Sequence, residues 1–302
     1  MTETFVPDVD TPLPLDDFLQ KVEASGILPD LRASRYDQGD MAQIADWMAQ
    51  LALDQTALRQ VLVGGLEDFW SFQPENDFKP STIMMHRGEG FSVRAVVWMP
   101  PGPLYPPEIF SYYETHDHNF DFFTVGCLGP GYRTRLYTYD YDSVEGVPGE
   151  VVPMTFVEET DLPPGKVMYY YGSHDIHTQY PAPSISASLN LLLSKTDHKR
   201  QIELTLEETA AGAQGRLIAG RIDRLAQERA LFDTVAALRD PESVAILRDI
   251  ASGHASPETR AVAWRALLDQ SEDVEVDLAA ADADSDLHVR AAVRQWREGG
   301  AG

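Results

Sequence analysis

The sequence predicts a mainly β protein: an antiparallel barrel with one helical region before it and another after it. Between about residues 82 and 194, short segments rich in β-branched and aromatic residues alternate with turns rich in glycine and proline. Residues 14–72 and the chain beyond about residue 212 instead show the apolar spacing that is typical of helices. Many strands at near-regular spacing, with no helices between them, indicate an antiparallel barrel or sandwich.

The regions on either side of the barrel carry their own helix signals. Before it, apolar residues recur every three or four positions, as at Leu15, Phe18 and Val22, and Asp54 stands where it can cap a later run. After it, the segments PESVAILRDIAS and PETRAVAWRALLDQ each open with proline at a first helical position. We therefore divide the chain into an N-terminal helical region, a barrel and a C-terminal helical region, at residues 1–78, 79–200 and 201–302.

Two phrases of the C-terminal region, ETRAVAWRALLD and LHVRAAVRQWRE, look like imperfect copies of one another. They resemble HEAT-type repeats, in which helix pairs stack to bury a shared face. Two interpretations stay open. The helices bind a partner protein, or they pack on the barrel or join two copies of the chain as a homodimer.

Composition excludes several classes of protein. The net charge of −24 argues against nucleic acid and anionic membrane surfaces as partners, because both attract clustered Lys and Arg. No apolar run is long enough to span a membrane. The acidic, proline-rich start lacks the basic and apolar segments of a signal peptide, so we expect a cytoplasmic protein. The single cysteine, Cys127, excludes an internal disulfide and a zinc cluster built on cysteines.

Histidines of the strand-rich region stand in two stretches. The first contains His116 and His118. Residues two apart in a strand point to the same face, so both imidazoles can reach one ion inside a barrel. The second stretch runs from a proline–glycine turn at Gly165 through a strand to His174 and His177. It returns the chain to the same barrel mouth and offers a third ligand from either of these two histidines.

Together the two stretches resemble the cupin superfamily, whose fold is an antiparallel double-stranded β-helix. The HxH of its first motif matches His116 and His118. The PxG of its second motif matches Pro163–Gly165, which leads through a strand to His177. The resemblance covers roughly residues 80–195 and implies a cupin barrel there.

Two details of the site follow from that resemblance. It favours His177 over His174 as the third ligand. It also aligns Phe122 with the position where cupins commonly carry a glutamate ligand, so a three-histidine site is implied. Phe122 would then be an apolar wall that keeps a reactive oxygen species away from water.

Within the superfamily the chain is most similar to the cysteine dioxygenase-like, or thiol dioxygenase, group. The likeness lies in a strand that ends in Trp-x-Pro at Pro100, in the letters THDH, and in DIH followed by SLN. Members of that group bind Fe(II) through three histidines and use O₂. The resemblance implies Fe(II) on His116, His118 and His177. Zinc, nickel and manganese stay open as alternatives, because sequence does not fix the metal.

The chain departs from that group at residues that select the substrate. The arginine that grips the carboxylate of cysteine aligns with positions 81–83, where no arginine stands. Of the Ser-x-His-x-Tyr pattern on the last strand, Ser188 is kept, while Asn190 and Leu192 replace the other two. These departures argue against cysteine as the substrate and leave the metal ligands intact.

Other side chains are candidates for the pocket. Ser188 and Asn190 share a face of the last strand that usually looks inward in this fold, so they can orient the substrate or a metal-bound water. Alternation along Tyr132–Tyr139 puts Arg133 and Tyr137 on one face. Facing inward, Arg133 would anchor an anionic substrate; facing outward or at the rim, which we favour, it pairs with acids. The remaining candidates to line the pocket are Tyr169 and Tyr171.

We therefore expect a mononuclear non-haem iron oxygenase of thiol dioxygenase-like form, which oxidises a small molecule or a peptide side chain with O₂. Two alternatives stay open. A cupin without catalytic activity would bind a metal or small molecule and act through its helical tail. A non-redox isomerase or lyase would use another divalent metal at the same site.

Overall fold

The computed structural model describes residues 1–68, 72–73, 79–195, 199–209, 212–218, 226–270 and 274–299. The chain divides into two compact units, one built from Met1–Tyr139 and Thr155–Thr196, the other from Asp140–Met154 and Asp197–Gly302. Residue 78, the predicted end of the N-terminal region, lies outside the described residues, and the three-part division stays a prediction. None of the helices in these ranges is long and apolar enough to cross a membrane.

The first unit opens with a short strand and a group of helices. Their bounds are β1 (Glu3–Phe5), α1 (Leu15–Ser25), α2 (Ile27–Arg32), α3 (Gln38–Leu53) and α4 (Gln55–Glu67). Side-chain caps explain where the last two helices begin. The Asp37 carboxylate accepts the backbone N–H groups of Gly39 and Asp40, and the Asp54 carboxylate accepts that of Thr56. The predicted helices and the cap at Asp54 are confirmed.

The strands of the barrel follow these helices. Their bounds are β2 (Thr82–Gly88), β3 (Phe91–Trp98), β4 (Thr115–His116), β5 (Phe120–Leu128), β6 (Arg133–Thr138), β7 (Val151–Asp161), β8 (Val167–Tyr170), β9 (Asp175–Tyr180) and β10 (Ser186–Ser194). Strand β7 begins in residues of the second unit and continues into the first from Thr155. The pairings among these strands are antiparallel.

Two sheets result in the first unit. One has the order β1-β8-β5-β10-β3-β2, and in the other β7, β6, β9 and β4 are neighbours in that order. From β3 to β10 the chain crosses from one sheet to the other at each connection, except at the hairpin between β6 and β7. Two Greek keys arranged in this way form a jelly roll, the double-stranded β-helix of cupins.

The first of these sheets is covered on both faces. One face, which includes Phe123 and Leu191, packs against the N-terminal helices. The other, which includes Phe122 and Leu192, packs against Leu136 of the second sheet across the barrel interior. Strands β5 and β10 are therefore buried on both faces, and their apolar side chains are interrupted by a few buried polar ones.

The second unit combines a hairpin with helices. Its elements are β11 (Glu203–Thr209), β12 (Gly212–Leu217), α5 (Ala226–Leu238), α6 (Pro241–Gly253), α7 (Pro257–Gln270), α8 (Val274–Asp282) and α9 (Leu287–Gly299). Helix α7 packs against α5, α6 and α9 around Trp264 and Leu267. Helix α6 begins at Pro241, after its cap Asp240. The predicted mainly β cupin fold with helical regions at both ends is confirmed, whereas the HEAT-like character of the second stays a prediction.

The hairpin corrects one expectation. Helix was predicted from about residue 212 onward, and this is wrong for Gly212–Leu217, which form a strand. That strand pairs with β11 on one side and with Val151–Met154, at the start of β7, on the other. Both partners satisfy its backbone groups, and neither is visible in the local pattern of an alanine-rich and glycine-rich segment.

Candidate metal centre

Three histidines of the first unit meet at one point. His116 ends β4, and antiparallel pairing puts it directly opposite His177 of β9. His118 follows in the connection to β5, since β4 ends at His116. The Nε2 atom of His177 lies 3.1 Å from that of His116 and 3.2 Å from that of His118. The three side chains can therefore offer nitrogen ligands to one ion.

The spacing of these nitrogens fits a metal ion. Metal–nitrogen distances of about 2.0–2.1 Å, with ligand angles between octahedral and tetrahedral, put the nitrogens roughly 2.9–3.4 Å apart. The separations of 3.1 and 3.2 Å fall inside that range. Hydrogen bonds between the imidazoles explain both short distances less well than a shared metal ion does. The Nε2 atom of neutral His177 carries at most one proton and faces two imidazole nitrogens.

The tautomer of His116 suits a ligand. Its Nδ1 lies 3.1 Å from the backbone carbonyl oxygen of Glu114. A carbonyl oxygen only accepts, so Nδ1 carries the proton and Nε2 presents its lone pair. The carboxylate of Glu114 is held in turn by Lys79, whose Nζ lies 2.7 and 2.6 Å from its two oxygens. This ion pair fixes the segment that orients His116.

His177 is buried, with 2% of its surface exposed. Burial lowers the pKa of its imidazole well below the usual value, and His116 and Arg94 lower that pKa further. The ring is therefore neutral at pH 7, which is the form that binds a metal. His174, the rival third ligand, stands outside the cluster. Its side chain is 46% exposed, and its Nδ1 lies 2.7 Å from Asp175 Oδ1.

Aromatic rings surround the histidines. The Phe122 ring lies 4.9 Å from that of His118 and stacks on Tyr170 at 4.5 Å. The Tyr170 ring lies 5.1 Å from that of His177, and Phe120 lies 4.7 Å from His118. Phe122 therefore lies where an apolar wall is predicted, and Tyr170 and Phe120 extend that wall without having been predicted.

Tyr169 and Tyr171, predicted to line the pocket, lie instead in the core under the N-terminal helices. Tyr169 is opposite Phe123 in the β8–β5 register, and its hydroxyl donates to Asp121 at 2.7 Å. The Tyr171 hydroxyl donates to Glu3. Three consecutive tyrosines give no sign of which face looks inward, and the structure puts Tyr170 rather than its two neighbours in the barrel interior.

Ser188 and Asn190 lie on the inner face of β10, as alternation predicts. The Ser188 hydroxyl accepts a hydrogen bond from Trp98 Nε1 at 3.0 Å. The Asn190 carbonyl oxygen accepts one from the Thr124 hydroxyl at 2.7 Å. Both side chains are buried. Their assignment to catalysis stays a prediction, and Ser188 also has a structural role as the acceptor for Trp98.

Arg133 and Tyr137 of β6 lie in different surroundings. Arg133 is exposed, with its Nε 3.1 Å from Asp161 Oδ1, so it matches the outward interpretation and is not an interior anchor. Tyr137 is buried, and its ring packs 5.8 Å from Phe156 of β7. The register of β6 with β9 is continuous through Leu136 and Tyr137, and the residue skipped in the β6–β7 pairing is Val157 of β7. The alternation that assigned Arg133 and Tyr137 to one face of β6 is therefore not broken.

Arg94 is an interior cation that was not among the predicted site residues. It alternates along β3 with Val96 and Trp98, which both belong to the barrel core, and it is paired in register with Asn190 of β10. The positive charge of Arg94 acts on the site, because it contributes to the lowered pKa of His177. The alternation within FSVRAVVW is the signal that could have found it.

No protein-family profile matches the chain, and no curated protein matches it. Solved structures show distant likenesses. Hydroquinone 1,2-dioxygenase from Sphingomonas sp. TTNP3, with 4-hydroxybenzoate bound, matches over 40% of this chain and 70% of its own, at 9% identity and a TM-score of 0.28. A cupin 2 domain-containing protein from Halorhodospira halophila matches over 42% and 71%, at 12% identity and a TM-score of 0.23.

A structure of DMSP lyases matches over 40% of this chain and 50% of its own, at 10% identity and a TM-score of 0.26. The chain therefore spans about half the length of that relative. Likenesses this distant carry no information about what the chain does.

Proposed function

We propose that this chain is a mononuclear non-haem iron oxygenase that holds Fe(II) on His116, His118 and His177 and oxidises a small molecule or a peptide side chain with O₂. The convergence of three imidazole nitrogens beside an aromatic wall is the observation that carries this proposal. Bound iron would supply the activation of O₂, which amino-acid side chains do not provide by themselves.

The ligand set supports a catalytic rather than a structural metal. Three neutral imidazoles leave positions open for substrate and O₂, whereas a structural zinc site is closed by a fourth protein ligand. Within the described residues, the metal-binding cluster consists of His116, His118 and His177. A catalytic zinc would also accept three histidines, so the identity of the metal is the quantity to measure first.

The surrounding residues suit an oxidation that is shielded from water. Phe120, Phe122 and Tyr170 place apolar surface beside the histidines, which limits side reactions with solvent. Arg94 adds a positive charge on the inner face of β3, and this favours a substrate that carries a negative group. Thiols are the first class to screen, since the sequence resembles the thiol dioxygenases.

Metal analysis of protein purified without chelator tests the proposal. The samples are wild type, His116→Ala, His118→Ala and His177→Ala, with His174→Ala as the matched control outside the cluster. We expect about one equivalent of iron in wild type and control, and its loss in each ligand variant. Oxygen uptake after anaerobic Fe(II) loading, with panels of thiols and amino acids, then tests the reaction.

Other results would favour other functions. Zinc, nickel or manganese in place of iron, without O₂ consumption, would favour a non-redox isomerase or lyase. A tightly held metal with no O₂ uptake for any substrate would favour a binding protein that acts through its helical tail. Wild type that takes up no metal, even after anaerobic loading, would contradict the proposal.

A further inference from the structure

A buried carboxylate stands close to the metal centre in the chain. Asp121 is the second residue of β5, three positions after His118, and its surface is 0% exposed. Its Oδ1 accepts the backbone N–H of Gly172 at 2.7 Å. Its Oδ2 accepts the hydroxyl of Tyr169 at 2.7 Å, the hydroxyl of Tyr36 at 2.9 Å and the ammonium of Lys195 at 3.0 Å.

The bond from Gly172 joins the two segments that carry the histidines. Gly172 belongs to the connection between β8 and β9 that leads to His177. In the same connection the backbone N–H of Ser173 donates to the carbonyl oxygen of His118 at 2.6 Å. A Cβ at Gly172 would lie 2.8 Å from the carbonyl carbon of Phe120, so the two backbones approach as closely as glycine permits. The position of His177 relative to His118 therefore depends on this contact.

Beside Tyr169 of β8, the remaining partners of Asp121 come from a connection between N-terminal helices and from the residue after β10. Tyr36 lies between α2 and α3, and Lys195 follows β10 directly. The Lys195 ammonium also donates to the hydroxyls of Ser34 and Tyr36, each at 2.7 Å. The helices and both histidine segments are thus joined at one carboxylate.

Asp121 and Lys195 form a nearly dry ion pair, with side chains 0% and 8% exposed. Burial lowers the pKa of Lys195, but the Asp121 carboxylate and the Tyr36 hydroxyl raise that pKa more, and the net shift is upward. The Lys195 ammonium therefore stays charged at pH 7. A buried ion pair is often no more stabilising than apolar residues of similar size, so stability alone explains this arrangement poorly.

We propose that Asp121 is a positioning residue of the metal centre, and that the N-terminal helices influence metal affinity through Tyr36 and Lys195. This inference rests on the metal-binding part of the proposed function and not on the oxidation. Asp121 acts through the backbone, because holding Gly172 against the start of β5 sets the distance between His118 and His177. Groups that hold metal ligands in place typically contribute 10–100-fold to metal affinity.

Deleting single hydroxyls tests this proposal without breaking the ion pair. Tyr169→Phe and Tyr36→Phe each remove one donor to Asp121. Tyr171→Phe is the matched control, because it removes a hydroxyl of the same aromatic cluster that donates to Glu3 instead. Titration of the full chain with Co(II), followed by visible absorption, gives the Kd and a spectrum that reports the ligand geometry.

We expect the Kd for Co(II) to rise roughly tenfold in Tyr169→Phe and Tyr36→Phe, with an altered spectrum, and to stay at the wild-type value in Tyr171→Phe. Asp121→Asn should raise it by about 100-fold, since its amide donors would face Gly172 N–H or the Lys195 ammonium. If that variant does not fold, the two hydroxyl deletions still decide the question.

Thermal unfolding of the metal-free variants separates positioning from general destabilisation. A lower Tm with a wild-type Kd and spectrum in both Tyr169→Phe and Tyr36→Phe would overturn the positioning role and leave the proposed function intact. Wild type that binds no Co(II) would overturn the positioning role and the proposed function together.

Discussion

The Nε2 atoms of His116 and His177 lie 3.1 Å apart across the pairing of β4 with β9. His116 presents a lone pair at Nε2, because its Nδ1 proton is committed to the Glu114 carbonyl. In the unfolded chain these two nitrogens are not held close together. An ion that binds between them therefore stabilises the folded state selectively.

We expect added metal to raise the stability of the first unit. At a free metal concentration 100-fold above Kd, the free energy of unfolding should increase by about 2.7 kcal/mol. Calorimetry with and without Co(II) measures the accompanying rise in Tm. His174→Ala should show the same rise and His177→Ala should show none. An equal rise in His177→Ala would mean that the metal binds elsewhere.

Two glycines with nearly the same positive φ should respond differently to alanine. Gly131 and Gly165 have φ of +83° and +81°, but a Cβ at Gly131 would lie 1.9 Å from the Leu162 carbonyl oxygen, whereas a Cβ at Gly165 meets nothing within 4 Å. Gly165→Ala should cost about 1–2 kcal/mol from the left-handed conformation alone. Gly131→Ala should cost about 1–3 kcal/mol more, from overpacking.

Urea unfolding of the two glycine variants measures both costs. Equal losses of stability would show that the approach of Leu162 to Gly131 is relieved by a small backbone shift.

Ser188→Ala should destabilise the barrel without changing its metal content. The variant leaves the buried Trp98 Nε1 without its acceptor, which costs about 1–3 kcal/mol. A double-mutant cycle with Trp98→Phe, followed by urea unfolding, isolates the coupling between the two side chains. If Ser188→Ala kept wild-type stability and lost O₂ uptake, Ser188 would act on the reaction instead.

His288 should make the second unit sensitive to acid. Its Nδ1 lies 3.1 Å from the Glu145 carbonyl oxygen. Burial first, and then the Arg200 charge, lower its pKa from 6.5 to about 4. Above pH 6.5 His288 is neutral in both the folded and the unfolded state, so it does not make the free energy of unfolding depend on pH. As the pH falls from 6.5 towards 4, His288 becomes protonated in the unfolded state but stays neutral in the folded state, and stability is lost.

The expected loss between pH 7.5 and pH 5 is about 2 kcal/mol. Urea unfolding followed by circular dichroism at the two pH values measures it. His288→Gln should lose less stability on acidification than wild type by that amount, while the exposed His254→Gln should follow wild type. The same acid sensitivity in all three proteins would assign the effect to other groups.

Alternation along strands predicts much of the barrel, because burial on one face repeats every second residue. It correctly places Ser188 and Asn190 on the inner face of β10. It fails where that period disappears. At Tyr169–Tyr171 the residue type is constant, and both faces of β8 are buried. A run of identical residues gives no sign of which face looks inward.

Long-range pairing explains the rest. The choice of His177 over His174 as the third ligand rested on resemblance to a family, because the sequence alone does not show which residue of β9 lies opposite His116. The strand at Gly212–Leu217 was missed for the same reason, since β7 and β11 are what make it a strand. Arg94 is different. Its inward position follows from alternation with Trp98, but a charged residue in an apolar strand was not expected to face a core.

His116 and His177 are separated by 61 positions in the chain. Bringing such distant segments together costs loop-closure entropy, which the chain recovers only once the strands have paired. Before the strands pair, the chain offers a metal ion only the neighbouring ligands His116 and His118, and we expect two ligands to bind it weakly. We therefore expect a metal to bind tightly only after β4 and β9 have paired, so that metal binding follows the completion of the barrel.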